Sequence, residues 1–462
     1  MSARLRIKVL QFGQGVFLRG FVEDFIQQLN ERQGLEAGVV IVRPTSRSTA
    51  PLIDAPFHVL LRGLDDEGLP LKQWRRIDCV QRELDLARHW QDYLALAAEP
   101  QLRFIVSNTT EAGIAVNTTD QLDDAPPASF PAKLCRWLVE RFRQGGAGVY
   151  LLPCELIEHN GPALKAAVLH FAQRWSLEPG FGRWLDEECQ FCSTLVDRIV
   201  SGAPSEQERP VLEAELGQAD PFMVCAEPFH SWLIEGPASL AAELRLEGSG
   251  LCIERVDDLK PYRRRKVGLL NGGHTLLVPV AILLGLETVG QAMSDPDLAR
   301  FLDEAMREEL IPALPLPAPD LQPFAEAVLR RFRNPFVQHR LQSIALNSWP
   351  KFATRLLPAL LANAQPAPRI VLALAATMHL YRGQQVSLSD APSHLAWFEA
   401  AWARWQSGEW SWHDLANGWL AQDSLWGERL NFRPGLSKAL ADQLALIESQ
   451  GMRAALTMIG RP

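Results

Sequence analysis

The sequence predicts an α/β fold: a doubly wound N-terminal domain followed by a mostly α-helical C-terminal domain. Three observations carry this. The first third alternates short apolar runs with amphipathic helical ones. A Gly-x-Gly turn separates the first run from the first helix. From about residue 266 the segments lengthen and turn helical, and convincing strands are few.

Taken in order, RIKVLQFG at 6–13 is a short apolar run ending in glycine, which reads as a buried strand. In FLRGFVEDFIQQLNERQG, Phe17, Phe21, Phe25 and Leu29 recur every four residues on one helical stripe, and Gly34 stops it. AGVVIVRP at 37–44 is the next buried strand, broken by Pro44. Strand, helix and strand in this order imply a parallel sheet. FHVLLRG at 57–63, followed by DDEG, reads as a strand and hairpin turn inserted into the series. RFIVSNTTEAG at 103–113 is a further buried strand ending in a polar loop. GVYLLPCE at 148–155 is another, preceded by the amphipathic KLCRWLVERFRQ helix. Beyond 266, helices are expected over 288–308, 323–333, 352–364, 369–382, 390–406 and 436–456, with the Pro-rich IPALPLPAPDLQP at 311–323 as a connector. The pattern breaks at DDLKPYRRR, near 258–265, which predicts domains over 1–260 and 261–462.

The whole chain sets bounds. Its 462 residues suffice for two or three domains at roughly 150 residues each. A net charge of −8 argues against nucleic acid or an anionic membrane as partner, and RRRK at 263–266 is short and local. The N-terminus lacks the apolar core of a secretory signal, and TLLVPVAILLGL at 275–286 is too short to span a bilayer. A cytoplasmic location is expected, as a monomer or small homo-oligomer. Seven cysteines are scattered; Cys189 and Cys192 form a single CxxC without the second pair that a zinc site wants, so reduced buried thiols are expected and no metal.

Gly13 and Gly15, in FGQGVFLRG at 12–20, permit a tight turn and let a pyrophosphate approach the backbone of a Rossmann-type βαβ unit. The third glycine of the dinucleotide fingerprint is replaced by Leu18, and a plain tight turn is the competing reading. The second strand ends in Arg43, with no carboxylate before Asp54 for a ribose 2′-hydroxyl. NADP therefore stands beside NAD, unless Arg43 is a solvated loop residue or stacks on adenine. In NTTE at 108–111, Asn108, Thr109 and Thr110 are placed to bond the ribose or nicotinamide, or else to cap a helix. Phe12, Gly13, Gly15, Phe17, Arg43, Asn108, Thr110 and Glu111 are the candidate cofactor contacts.

KVGLLNGGHT at 266–275 holds three polar side chains among apolar ones. On an α-helix at about 100° per residue, Asn271 lies about 140° from Lys266 and His274 falls between them at about 80°. Gly272 and Gly273 each cost about 1 kcal/mol against alanine, so close approach of a cofactor, a substrate or another backbone must repay them. The set suits carbonyl reduction. A desolvated lysine donates or takes the proton, an asparagine amide donates to the developing oxyanion, and a histidine orients a substrate hydroxyl. The bland alternative is a snorkelling lysine and a satisfied core histidine.

Taken together, FGQGVFLRGF at 12–21, SNTTEAG at 107–113, CELIEHNG at 154–161, STLVDRI at 193–199, KVGLLNGGHT and RFRNPFVQHRLQSIALNSWPKF at 331–352 resemble the polyol-specific long-chain dehydrogenase family, which includes mannitol 2-dehydrogenase and the fructuronate and tagaturonate reductases. The resemblance covers about residues 8–380. It implies metal-independent hydride transfer, with Lys266 as acid/base, Asn271 at the oxyanion and His274 orienting the substrate. Asp197 and Lys351 match positions that contact substrate. The segments look most like the branch that interconverts D-altronate and D-tagaturonate with NAD in hexuronate breakdown; a fructuronate reductase, a mannitol- or arabinitol-type polyol 2-dehydrogenase, and a nucleotide-binding sensor without catalysis are the alternatives. Two departures stand out. Leu156 replaces an asparagine that is the mannitol branch's second oxyanion donor, which leaves Asn160 as candidate. Ser343 replaces a substrate-binding arginine, and Arg340 nearby is the candidate for a sugar-acid carboxylate.

Overall fold

A computed structural model describes residues 5–44, 51–65, 67–109, 111–363, 366–383 and 389–459. The chain divides into two compact units: Met1–Asp65 with Pro70–Leu259, and Lys260–Pro462 with Asp66–Leu69.

The first unit is built on strands β1 (Arg6–Phe12), β2 (Ala37–Arg43), β3 (Phe57–Leu64), β4 (Pro70–Ile77), β5 (Val80–Asp85), β6 (Phe104–Ser107) and β7 (Tyr150–Pro153). There follow β8 (Gln190–Phe191), β9 (Ser193–Asp197), β10 (Val200–Gly202), β11 (Val224–Ala226), β12 (Ser231–Glu235) and β13 (Ile253–Val256). The main sheet runs β5-β2-β1-β6-β7-β8, all parallel, which is the 3-2-1-4-5-6 order of a dinucleotide-binding sheet. Its interior strands are buried on both faces. Along β1, Val9 packs into one apolar layer while Leu10 and Phe12 pack into the other, as the period-2 alternation of a strand requires. The hairpin of β3 and β4 lies outside this sheet, in a second one ordered β10-β11-β3-β4, and β13-β12-β9 form a third. The insertion expected at 57–63 is therefore a separate layer.

The first helix departs from its predicted continuous stripe. It splits into Val16–Arg19 and Val22–Gln33 around Gly20 and Phe21. A side chain at Gly20 would meet Val200 at 2.9 Å, so the break lets β10 approach. Phe17 nevertheless stacks on Phe21 at 4.9 Å, and Phe21 meets Phe25 edge-on at 4.6 Å. Cys189 and Cys192 are buried and free, and burial pushes each thiol up to about 12.

Among the described residues, the second unit holds helices and no strand. Its central helix runs from Lys260 to Leu283, long and apolar enough by composition to cross a membrane, where the sequence alone showed only a shorter run. Leu276, Leu277, Val280 and Ala281 on it are fully buried, and it packs on Pro368–Leu380, so it serves as the core helix of this unit. The helix expected over 288–308 is interrupted at Asp295, whose carboxylate caps Pro296–Ala305 through the N–H groups of Asp297 and Leu298. The expected connector at 311–323 is shorter than predicted. A helix already begins at Ala318, with Pro319 in its first turn, where a missing N–H costs nothing.

Candidate active site

In the first unit, a cleft of about 440 Å³ opens beyond the carboxyl ends of β1 and β6, lined by Gly13, Pro44, Asn108, Thr109, Gly113 and Lys133 among others. This is where strand order reverses, the switch point at which open α/β sheets bind ligands. Gly13 has φ +111°, a value L side chains rarely adopt, and a Cβ there would stand 3.0 Å from the Asn108 carbonyl. A Cβ at Gly15 would meet nothing within 4 Å, so that position opens outward. The turn is held from below: Gln11 donates through Nε2 to the Gly13 carbonyl at 2.9 Å and to Glu23 at 2.7 Å. Burial pushes the Glu23 carboxyl up to about 7. A turn of this shape beside a cleft of this size fits a dinucleotide.

The polar loop after β6 is pinned by a residue that sequence reasoning left out of the site. Buried Glu155 accepts from Ser107 Oγ at 3.0 Å, from the Thr109 N–H at 3.0 Å and from Thr109 Oγ1 at 2.9 Å. Burial raises its pKa, against those hydrogen bonds. Asn108 donates through Nδ2 to the Cys154 carbonyl at 2.8 Å, so its amide nitrogen holds the loop to β7 while the residue still lines the cleft. Lys133, also missed, stands in the cleft wall, and burial lowers its pKa to about 8. An acid directly after an apolar strand, as in LLPCE, was the available signal for Glu155.

Several expected contacts are corrected. The Phe12 ring lies in the core between Tyr93 and Phe130, at 5.9 and 4.8 Å, because β1 turns that side chain away from the cleft. Phe17 packs on Phe21. Arg43 is neither a solvated loop residue nor an open cation for a 2′-phosphate. It is 3% exposed, pairs with Glu83 at 2.9 Å and bonds the Pro51 carbonyl. Thr110, the side chain of Glu111, and Thr45, Ser46 and Arg47 lie outside the described residues. Asn160 is not a spare oxyanion donor. Its Nδ2 donates to the carbonyls of Pro153, Glu155 and Thr194, and its Oδ1 accepts from the Thr194 N–H at 2.9 Å. It fastens the start of helix Asn160–Arg174 to β9, where Gly161 leaves no room for a Cβ, 2.6 Å from Cys192. Leu156 is 67% exposed. Asp197 is buried at the end of β9.

In the second unit, the segment Lys266–Asn271 is a π-helix between two α-helical stretches. Its i→i+5 bonding places residues five apart nearly above one another, so Lys266 and Asn271 are closer in azimuth than the α-helical expectation of about 140°. The Asn271 carbonyl, at the start of the following α-helix, accepts from Thr275 Oγ1 at 3.0 Å and from Arg355 Nη1 at 3.5 Å. Gly272 faces the Leu356 side chain and the backbone carbonyl of Arg355, 3.6 Å from an added Cβ, and Gly273 faces neighbouring side chains. Added Cβ atoms would meet Leu356 at 3.4 Å and Met306 at 2.6 Å. Their small size lets this helix pack closely within its own unit.

His274 stacks on Phe332, with ring centroids 4.1 Å apart, and meets His339 edge-on at 4.9 Å. Its Nε2 is buried with no partner among the described residues, and the Leu270 carbonyl acts to raise its pKa, as an acceptor beside the other ring nitrogen does. A carbonyl only accepts, so Nδ1 carries the proton and Nε2 presents a bare lone pair. Burial, then the charges of His339, Arg355 and Arg331, hold its pKa well below the usual histidine range. This histidine is neutral and an acceptor.

The shift has a stability consequence. Above pH 6.5, the group's ordinary value, both folded and unfolded chains carry it neutral and the contribution is complete. Below that pH the unfolded chain binds a proton that the folded one refuses, so stability is lost as pH falls toward the depressed folded value. Urea unfolding of the wild type should weaken more between pH 6.5 and 5 than that of His274→Gln; parallel curves would refute the assignment.

Lys351 and Arg340 diverge. Lys351 donates to the carbonyls of Ile344, at 2.8 Å, and Leu346, closing the end of helix Leu341–Ala345; burial and then Arg355 lower its pKa. Arg340 is exposed, its side chain 69% accessible and 3.9 Å from Glu287, a poor place to hold a substrate carboxylate. Arg355, which sequence reasoning missed, stands instead beside Asn271 and Thr275.

A switch-point cleft on a 3-2-1-4-5-6 sheet, followed by a helical unit with a lysine, an asparagine and a neutral histidine along one helix, is the build of a dehydrogenase. The chain belongs to the mannitol dehydrogenase family: the mannitol dehydrogenase Rossmann domain model matches residues 7–248, and the mannitol dehydrogenase C-terminal domain model matches 258–448. It is 47% identical to an altronate oxidoreductase of Yersinia pestis bv. Antiqua (strain Nepal516), over 97% of this chain and 96% of that one. It is 45% identical to an altronate oxidoreductase of Klebsiella pneumoniae (strain 342), with the same coverage. In fold it is similar to a D-sorbitol dehydrogenase in substrate-free form, with TM-score 0.79 and 21% identity over 98% of this chain and 95% of that one. It is similar too to Pseudomonas fluorescens mannitol 2-dehydrogenase in a ternary complex with NAD and D-mannitol, with TM-score 0.67 and 22% identity over 99% and 95%.

Proposed function

We propose that the protein is an NAD-dependent oxidoreductase of hexuronate breakdown that interconverts D-tagaturonate and D-altronate. The observation that carries this is the 47% identity to altronate oxidoreductases across 97% of the chain, which spans both units. NAD rather than NADP is supported by Arg43, whose guanidinium is committed to Glu83.

When bound, the reduced nicotinamide supplies the hydride to the substrate carbonyl carbon. Gly13, Asn108 and Thr109, which line the switch-point cleft, and Gly15, which opens outward, would hold the dinucleotide. As the carbonyl oxygen gains charge, Asn271 donates its amide N–H to it and the Lys266 ammonium delivers the proton. His274 Nε2, a buried acceptor, takes a hydrogen bond from a substrate hydroxyl and fixes its orientation. In the oxidation Lys266 takes the proton back. Asp197 in the first unit and Lys351 in the second are the remaining candidates for substrate contact. The protein acts in the cytoplasm, as a monomer or small homo-oligomer, on a small sugar acid.

A panel of D-tagaturonate, D-fructuronate and D-fructose, each with NADH and NADPH, tests the assignment. D-tagaturonate with NADH should give the highest kcat/KM. Reduction of fructose without reduction of either keto-acid would make the protein a polyol dehydrogenase. Nucleotide binding without turnover across the panel would make it a sensor.

A further inference from the structure

We propose that Arg355 receives the substrate carboxylate and sets this chain's preference for sugar acids over neutral ketoses, a proposal that rests on the reading above. Arg355 ends the helix Ser348–Arg355 and reaches the helix that carries Asn271 and His274. Nη1 donates to Thr275 Oγ1 at 3.2 Å and faces the Asn271 carbonyl at 3.5 Å. Thr275 follows His274 and stands one turn beyond Asn271, so the guanidinium lies along the face that bears the reacting set.

Both contacts use one nitrogen. Among the described residues no carboxylate lies within 4 Å of Arg355, and Nε and Nη2 have no hydrogen-bond acceptor. A guanidinium carries five N–H groups in a planar fork that matches a carboxylate bidentately. Burial already acts against its charge, lowering its pKa. Arg355 is half-buried, and its Nε and Nη2, without a protein acceptor among the described residues, remain open to a ligand carboxylate.

The surroundings favour the same ligand charge. Arg355 and Arg331 both act on His274 as positive charges. Lys351, one turn before Arg355 on the same helix, adds a further ammonium, which Asp390 opposes. A neutral polyol gains nothing from such a field; a hexulosonate does. Arg340, exposed and beside Glu287, offers neither desolvation nor an uncommitted fork.

The test is steady-state kinetics of the wild type, Arg355→Ala, Arg355→Gln and Arg355→Lys on D-tagaturonate and on D-tagatose, with NADH. For Arg355→Ala the KM for D-tagaturonate should rise about 30-fold or more while the KM for NADH holds. Selectivity for acid over neutral ketose should fall by the same factor, Arg355→Lys should recover part of it, and added guanidinium ion should rescue Arg355→Ala. Should Arg355→Ala fold poorly, Arg355→Gln is read in its place. A parallel fall on both substrates would assign Arg355 a structural role beside the π-helix and overturn the proposal, as would an unchanged KM for the acid. If D-tagatose turnover is too slow to read, the KM for D-tagaturonate against that for NADH decides. A wild type that reduces no keto-acid overturns the functional reading and this proposal together, before any variant is compared.

Discussion

Lys266→Ala is expected to lower kcat by about a thousandfold while nucleotide binding, followed by fluorescence titration, stays at the wild-type level. The lysine opens the π-helical segment whose far end is Asn271, and it is the proton donor of the proposed reduction. Lys266→Arg should not restore turnover. Its guanidinium keeps its proton up to about pH 12 or beyond and cannot deliver it to an alkoxide at neutral pH. The effect should fall on kcat and on kcat/KM alike, as for an interaction made in the transition state. A kcat within tenfold of wild type would remove Lys266 from the chemistry.

The second large effect concerns the frame that carries the cofactor cleft. Asp24 is fully buried on the helix Val22–Gln33 and pairs with Arg198 at 2.7 Å and Arg75 at 3.0 Å. Arg198, itself 1% exposed in its side chain, also donates to the carbonyls of Gly20 and Glu227. Asp24→Ala leaves that guanidinium buried without its carboxylate, which costs about 3–5 kcal/mol. Thermal unfolding of the first unit should shift down accordingly. The double variant Asp24→Leu with Arg198→Met should recover much of the loss, because the penalty comes from the orphaned charge. A single variant as stable as wild type would show that solvent reaches the arginine.

Much of the fold was legible because burial leaves a mark on composition. β1, β2, β6 and β7 are interior parallel strands, and their near-continuous apolar runs announced them. β5 is an edge strand of the same sheet; VQRELD is mostly polar and only partly buried, so no run betrayed it. The break at Gly20 was invisible because Phe17, Phe21 and Phe25 keep their stripe across it, and only the approach of Val200 requires it.

The site divides in the same way. Gly13 and Asn108 were readable as a turn and a strand end. Phe12 and Arg43 were misplaced because proximity in sequence says nothing of which sheet face a side chain takes. Asn160 looked like a spare amide until the three carbonyls around it were seen. Arg355 carried no local signal at all, since its neighbour Thr275 is 80 residues away.

The π-helical turn at Lys266–Asn271 acts as a phase shifter. A π segment amounts to an α-helix with one residue slipped in, and that residue rotates everything downstream by about 100° relative to everything upstream. The buried stripe of Gly272–Leu283 and the polar start at Lys260–Arg265 thus keep separate registers along one rod. Deleting one residue between Val267 and Leu270 would restore an ordinary helix and bring those registers back into step. The lysine and the asparagine would then stand four residues apart, about 40° from each other, and would still share a face. Wound as an ordinary helix at its full length, the segment would set them about 140° apart, so the wide turn, as much as the side chains, decides whether proton donor and oxyanion partner share a face.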